Sequence, residues 1–176
     1  QLFWHSLFVL LTMLTVAGGV RAGLERVTRY AVPLIFLLLL LLVGYAAGSG
    51  SFRLGSEYFL RTDFSQLGTD GVLVAMGDAF FSLGLCVGTF MMYGAYLPQN
   101  GPVFRLALYV VLADLVAGML AGLGVFPVLF AGGGLSVAGP GLVFQSLAVA
   151  FDPLPLGGLM RTILFALLIL VAWMST

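Results

Sequence analysis

Two carboxylates stand inside long apolar segments of this sequence. Asp78 is the one charged residue between positions 71 and 97, and Asp114 lies near the middle of the apolar segment 103–126. A carboxylate within an apolar span is costly to desolvate and by default indicates a functional site. Such a group can bind a cation, carry a proton or, as one of a facing pair, serve an intramembrane peptidase.

The segment 77–89, GDAFFSLGLCVGT, adds hydroxyls and glycines to the first of these spans. Each glycine weakens a helix by about 1 kcal/mol relative to alanine in water, although an unbroken helix is the default in lipid. Two interpretations stay open. The small residues can allow close helix packing, or the helix stops near Ser82 and resumes near Val87, so that freed backbone groups line a cavity.

Composition places these segments in a membrane. Hydrophobic residues make up 61% of the chain and charged residues 8%, whereas soluble domains carry about 25% charged residues. The basic residues, all arginine, equal the acidic ones in number, so no nucleic-acid partner is indicated. The single Cys86 excludes an internal disulfide and a cysteine-rich metal site. Because the chain begins without Met and ends inside an apolar segment, we expect a piece of a longer integral membrane protein.

Several segments are long enough to cross about 30 Å of hydrocarbon: residues 2–20, 30–47, 71–97, 103–126 and 154–176. Arg21, Arg26 and Arg29 crowd the first connection, which is therefore expected on the cytoplasmic side. Alternation of the spans then puts the loops 48–70 and 127–153 outside.

The external loop 127–153 is predicted to form a hairpin of two short helices. A glycine-rich bend follows its first apolar piece, and Gly139-Pro140-Gly141 opens the second. Glycine and proline set such breaks, and the loop has the wrong length for another crossing. The sequence therefore predicts an all-α membrane protein, with residues 1–176 in a single membrane domain.

Four groups of residues, in their order along the chain, resemble the neurotransmitter:sodium symporter family. They are Gly23-Leu24-Glu25-Arg26 before Pro33; Phe80-Phe81-Ser82-Leu83-Gly84-Leu85-Cys86-Val87-Gly88 followed by Tyr93-Gly94-Ala95-Tyr96-Leu97-Pro98; Ala121-Gly122-Leu123 with Phe126-Pro127; and Gly139-Pro140-Gly141-Leu142-Val143-Phe144. The resemblance implies about helices four to eight of a LeuT-type bundle, built from inverted repeats with broken helices and a midplane site. The broken helix would be the span 71–97.

The resemblance also implies a first sodium site and a substrate site. Ser82 and Asp114 match the family's side-chain ligands of the first sodium ion. The substrate-contacting positions are matched by Phe81, Ser82, Leu83, Gly84, Val87 and Thr176. No chloride is expected, because Gly118 stands where animal members supply a hydroxyl to chloride, and the charge of Asp114 can replace that anion.

A second sodium site and two gates follow from the same resemblance. Ala172, Ser175 and Thr176 match the second site, and their i, i+3, i+4 spacing puts them on one helix face. Asp78 and Phe81 match the outer gate, and Tyr96 matches the inner gate. Each sodium site would be only partly present in this chain, and the remaining helices of the whole protein would complete it.

The resemblance predicts sodium-coupled symport of an amino acid by alternating access, with no enzyme chemistry. Relatives often have larger residues where Gly84 and Val87 stand, so a bulky or aromatic amino acid is favoured. The implied partners are sodium ions, the amino acid, the lipid bilayer and the remaining helices, with a homodimer left open. The implied location is the inner (plasma) membrane of a bacterium.

Three alternatives remain from the residues. Asp114 could carry a proton, which would make the protein a proton-coupled amino acid carrier of the same fold. Asp78 and Asp114 could form an intramembrane aspartyl protease, but the run Ala75-Met76-Gly77-Asp78 lacks the first glycine of the Gly-x-Gly-Asp motif. A relic that no longer transports is the third alternative.

Overall fold

The protein is described here by a computed structural model that covers residues 2–19, 23–61, 68–85, 88, 91, 94–95, 101–133 and 142–175. Within these ranges the regular elements are helices: α1 (Leu2–Ala17), α2 (Glu25–Gly48), α3 (Phe52–Leu60), α4 (Thr69–Ser82), α5 (Val103–Ala131), a π-helix (Leu142–Ser146), α6 (Leu147–Ala150) and α7 (Gly157–Ser175). The predicted all-α class is confirmed.

Three helices of the described chain are long and apolar enough to cross a membrane: α2, α5 and α7. The apolar helix α1 is shorter, with 16 residues. Along α2 the large side chains of Leu37 and Leu40 are more than half exposed. Such exposure of leucine suits helices whose surroundings are lipid and other helices rather than water.

The chain divides into two compact units. The first comprises Gln1–Phe59 together with Leu120–Thr176, and the second comprises Leu60–Met119. In the first unit α2 packs against α7. Its core is a cluster of fully or nearly fully buried apolar side chains: Leu42, Ala46, Val128, Leu129, Leu147, Ala150, Phe151 and Leu164. This cluster therefore attaches the end of α5 and the short helix α6 to the α2–α7 pair.

Helix α3 lies within the loop 48–70 and was not anticipated from the sequence. Its Gly55 lies directly against the backbone of Pro127, and the Phe59 ring covers Gly122. Tyr58 sits between Phe126 and Phe130, with ring centroids 5.5 and 5.3 Å away. An isolated helix of this length is marginal, so packing on α5 is what stabilises it.

On the exposed side of α3, Arg53 Nε donates to Glu57 Oε1 at 2.9 Å. This hydrogen bond, together with the charge of Glu57, raises the pKa of Arg53 above its ordinary value. Both side chains are largely exposed, so the pair contributes little to stability.

Helix α5 continues through Pro127 to Ala131, five residues beyond the predicted end of its span. The first apolar piece of the predicted hairpin is therefore the end of α5 rather than a separate short helix. Proline lacks one backbone donor and crowds the preceding turn, and Gly55 leaves room for its ring because it has no side chain. The second piece is helical, as predicted, from Leu142 to Ala150; Gly139-Pro140-Gly141 lies outside the described residues.

Candidate functional site

Helix α4 ends at Ser82. The amide of Leu83 donates to Ala79 O at 3.1 Å, and that of Gly84 donates to Phe81 O at 3.0 Å. Gly84 then takes a φ of +66°, a left-handed conformation that glycine adopts without steric cost. The predicted helix stop near Ser82 is confirmed, and the break, rather than close packing of a continuous helix, accounts for Gly84. The predicted resumption near Val87 lies outside the described residues.

Ser82 meets Asp114 at this break. Ser82 Oγ lies 2.9 Å from Asp114 Oδ1 and 3.0 Å from Oδ2, so its one proton is shared between the two carboxylate oxygens. The two residues are 32 positions apart and come from α4 and α5 of the second unit. Both groups are exposed in this chain, which leaves their remaining lone pairs accessible.

The pair has the chemistry of a hard-cation ligand set. A hydroxyl that donates its proton still presents lone pairs, and a carboxylate accepts only. Ser82 is also the last residue of α4, where the helix dipole places partial negative charge and favours cations. Among the residues that the structure describes, no group of three or more His, Cys, Asp or Glu is close enough to hold a metal. Oxygen ligands of this kind suit hard ions rather than zinc.

Three of the other predicted substrate residues lie at the same helix end. Phe81 is 86% exposed, Leu83 is half-buried and Gly84 forms the break. Val87 and Thr176 lie outside the described residues. The end of α4 thus presents the exposed ring of Phe81 immediately before Ser82. Gly84, which has no side chain, follows Ser82 by two residues.

Of the two predicted gates, only the outer one is described. Asp78 is exposed and precedes Ser82 by four residues on α4. That spacing places both side chains on one face of the helix. Tyr96 lies outside the described residues.

The residues predicted for a second ion lie in the first unit. Ala172 and Ser175 belong to the last turn of α7 and are exposed. Beside them is a cavity of about 70 Å³ lined by Thr12, Thr15, Val16, Leu24, Val27, Thr28, Trp173 and Met174. The three threonine hydroxyls each donate to a backbone carbonyl four residues earlier in the chain.

Sequence reasoning missed the polar residues around the turn 151–156, which joins α6 to α7. Tyr45, Asp152 and Arg161 make side-chain hydrogen bonds there. The proximity of Asp152 and Arg161 in the sequence was an available signal, since they are opposite charges nine positions apart, one in the turn and one in the first turns of α7. The sequence gives no comparable indication of the contact between Tyr45 and Pro155, which are 110 positions apart.

An all-α chain with a helix broken at a hydroxyl–carboxylate pair is typical of a secondary transporter. The profile of the Sodium:neurotransmitter symporter family matches residues 2–176. The chain therefore belongs to this family, and the predicted family is confirmed. It is part of an integral membrane protein.

Comparisons with individual proteins support the same family assignment. The chain is 38% identical to the sodium-dependent transporter YhdH of Bacillus subtilis over 152 residues, which are 86% of this chain and 34% of that protein. It is 32% identical to a sodium-dependent transporter of Haemophilus influenzae over 97% of this chain and 37% of that protein. The crystal structure of MhsT in complex with L-phenylalanine superposes with a TM-score of 0.82 at 36% identity, over 99% of this chain and 40% of that one.

The MhsT match confirms the predicted LeuT-type fold. The chain spans between about a third and two fifths of the length of these proteins.

Proposed function

We propose that the whole protein carries an amino acid across a membrane together with sodium, by alternating access. The observation that carries the proposal is the contact of Ser82 with Asp114 where α4 ends. Broken helices and oxygen ligands at the repeat interface are the means by which LeuT-type carriers bind ions and substrate. Membership of the Sodium:neurotransmitter symporter family supports the same activity.

The first sodium ion is proposed to bind between Ser82 Oγ and the Asp114 carboxylate. The ion would compensate the charge of a carboxylate that is otherwise expensive within a membrane span. A second ion is proposed at the end of α7, with the Ala172 carbonyl and the hydroxyls of Ser175 and Thr176 as ligands. Helices of the remaining protein would supply the other ligands of both sites.

The proposed substrate is a bulky or aromatic amino acid. Phe81 would close over it from outside, and Leu83, Gly84 and Val87 would shape the pocket for its side chain, with Thr176 at its edge. The left-handed Gly84 leaves space where a side chain would otherwise stand. MhsT, whose solved complex contains L-phenylalanine, supports an aromatic substrate.

The proposed cycle begins when sodium and the amino acid close the bundle around the broken helix. Asp78 and Phe81 would then lie at the closed outer gate, and opening of an inner gate that includes Tyr96 would release the cargo inward. Chloride is not required in this proposal, because Asp114 supplies the negative charge next to sodium. The inner membrane of a bacterium is the proposed location, which the two bacterial relatives support.

The deciding experiment measures binding of a panel of labelled amino acids, L-phenylalanine included, to the full-length protein in proteoliposomes. Binding is compared in sodium and in potassium at two pH values, and repeated with Asp114→Ala. We expect sodium-dependent binding that collapses in the variant. The matched control is Glu57→Ala, which removes an exposed carboxylate of α3 in the first unit and should leave the sodium dependence intact.

Other outcomes identify the alternatives. Binding that ignores sodium and depends steeply on pH would favour a proton-coupled carrier in which Asp114 carries the proton. No binding of any amino acid would contradict transport and favour a relic. Peptide cleavage abolished by either Asp78→Ala or Asp114→Ala would favour the protease.

A further inference from the structure

The turn 151–156, between α6 and α7, is held from two directions. Tyr45 Oη of α2 donates to Pro155 O at 2.7 Å. Arg161 Nη1 of α7 donates to Asp152 Oδ1 at 2.8 Å. The first bond joins the turn to α2, and the second joins it to the first turns of α7, so both ends of the turn are tied to long helices.

The backbone of this turn includes a strained residue. Leu156 has a φ of +58°, in the left-handed region that residues other than glycine rarely adopt. Its side chain is 72% exposed, so burial of the leucine does not hold it there. Strain of this kind persists only where surrounding contacts impose it, and it concentrates in clamps and switch regions.

The turn also holds a buried aromatic residue. Phe151 is fully buried, and its ring lies 6.0 Å from the Tyr45 ring. Leu147 and Ala150, on the preceding helix, are buried in the same cluster as Leu42 of α2. Release of the turn would therefore withdraw Phe151 from the cluster and loosen the helical segment 142–150 as well.

We propose that the turn 151–156 is a clasp that makes the helical segment 142–150 move as one body with α2 and α7. The clasp consists of the Tyr45–Pro155 hydrogen bond and the Asp152–Arg161 ion pair. Helix α7 has 19 residues, about 28 Å at 1.5 Å per residue. The clasp thus connects the segment 142–150 to the N-terminal end of α7, a rigid helix whose C-terminal end carries Ala172 and Ser175. The inference concerns the mechanics of the fold and does not depend on the proposed cargo.

Hydrogen–deuterium exchange of the full-length protein in detergent, without sodium, tests the clasp. Amide exchange reports local opening, so it does not require a functional carrier. We expect Tyr45→Phe and Asp152→Asn each to accelerate exchange of the amides in 142–150 at least fivefold. The double variant Asp152→Arg with Arg161→Asp should restore slow exchange, because it reverses the pair and keeps the attraction.

The matched control is Arg53→Gln, which breaks the exposed ion pair of α3 and should leave exchange of 142–150 unchanged. Tyr45→Phe removes only a hydroxyl and retains the ring, so it tests the clasp without creating a cavity. Acceleration confined to 151–156 would overturn the proposal, since the turn would then open without the segment. An equal acceleration in Arg53→Gln, or failure of the reversed pair to restore slow exchange, would overturn it too.

Discussion

At the scale of single residues, the hydroxyl of Ser82 can be tested apart from its carboxylate partner. Ser82→Ala removes one oxygen ligand and a hydrogen bond to a charged group, which is worth about 1.5–3 kcal/mol. We expect the sodium affinity of this variant, measured from the sodium dependence of amino acid binding, to be weaker by about tenfold or more. Ser82→Thr retains the hydroxyl and should restore the affinity.

Thr162→Ala is the control for this series, because the Thr162 hydroxyl donates to Gly158 O of its own helix. Its sodium affinity should equal that of the unchanged protein. If Ser82→Ala and Thr162→Ala have the same affinity, Ser82 is not a sodium ligand.

The charge of Asp114 leads to a second prediction at this scale. Sodium-dependent uptake by the full-length protein should not change when chloride is replaced by gluconate, since the carboxylate already balances the ion. Asp114→Asn combined with Gly118→Ser removes that charge and adds a hydroxyl where a Cβ meets open space. Uptake by this double variant should require chloride, and a chloride requirement in the unchanged protein would contradict the prediction.

At the scale of the element, the break in α4 depends on backbone geometry. Gly84→Ala puts an L-residue at a φ of +66°, which costs roughly 1–2 kcal/mol. Gly77 lies inside α4, where a Cβ meets no atom within 4 Å, and Gly77→Ala should stabilise the helix by about 1 kcal/mol. Thermal unfolding of the full-length protein in detergent should give a lower Tm for Gly84→Ala and a higher one for Gly77→Ala. A Tm for Gly84→Ala at or above that of Gly77→Ala would show that the left-handed turn is not required.

At the scale of the whole molecule, the first unit depends on how closely α3 approaches α5. Gly55→Ala would push a methyl group into the backbone of Pro127, and overpacking of this kind costs about 1–3 kcal/mol. The neighbouring Ser56→Ala removes an exposed hydroxyl that bonds to Arg53 O of its own helix, so its effect should stay within about 0.5 kcal/mol. Equal thermal stability of the two variants would contradict the close packing.

Residue types alone were enough to single out Asp114 and the glycine-rich stretch around Ser82, whereas the role of Ser82 as a sodium ligand came from the family resemblance. A charged group is rare in an apolar span, and a run of glycines is unfavourable in a helix, so both stand out without knowledge of the fold. The roles of Ala172 and Ser175 had no such signal, because hydroxyls that bond to their own helix are common in membrane segments. Those two roles rest on the family resemblance and stay predictions.

Helix α3 shows where local patterns stop being informative. Its sequence, FRLGSEYFL, mixes charged and apolar residues within a polar connection, and nine residues are too few for a helix to be stable alone. The aromatic contacts with Phe126 and Phe130 lie more than 60 residues away along the chain. Nothing near α3 in the sequence indicates them.

The sequence by itself determined that the solvent is lipid and that the long segments are helices, whereas it left open whether the helix through Ser82 continues or stops. These properties depend on composition and on the preferences of neighbouring residues, which are local. Only the tertiary structure decided that Ser82 meets Asp114, that α3 folds on α5 and that Tyr45 holds the turn 151–156. Such contacts join residues far apart in the chain, and they form because packing and hydrogen bonding offset the entropy of closing the intervening loops.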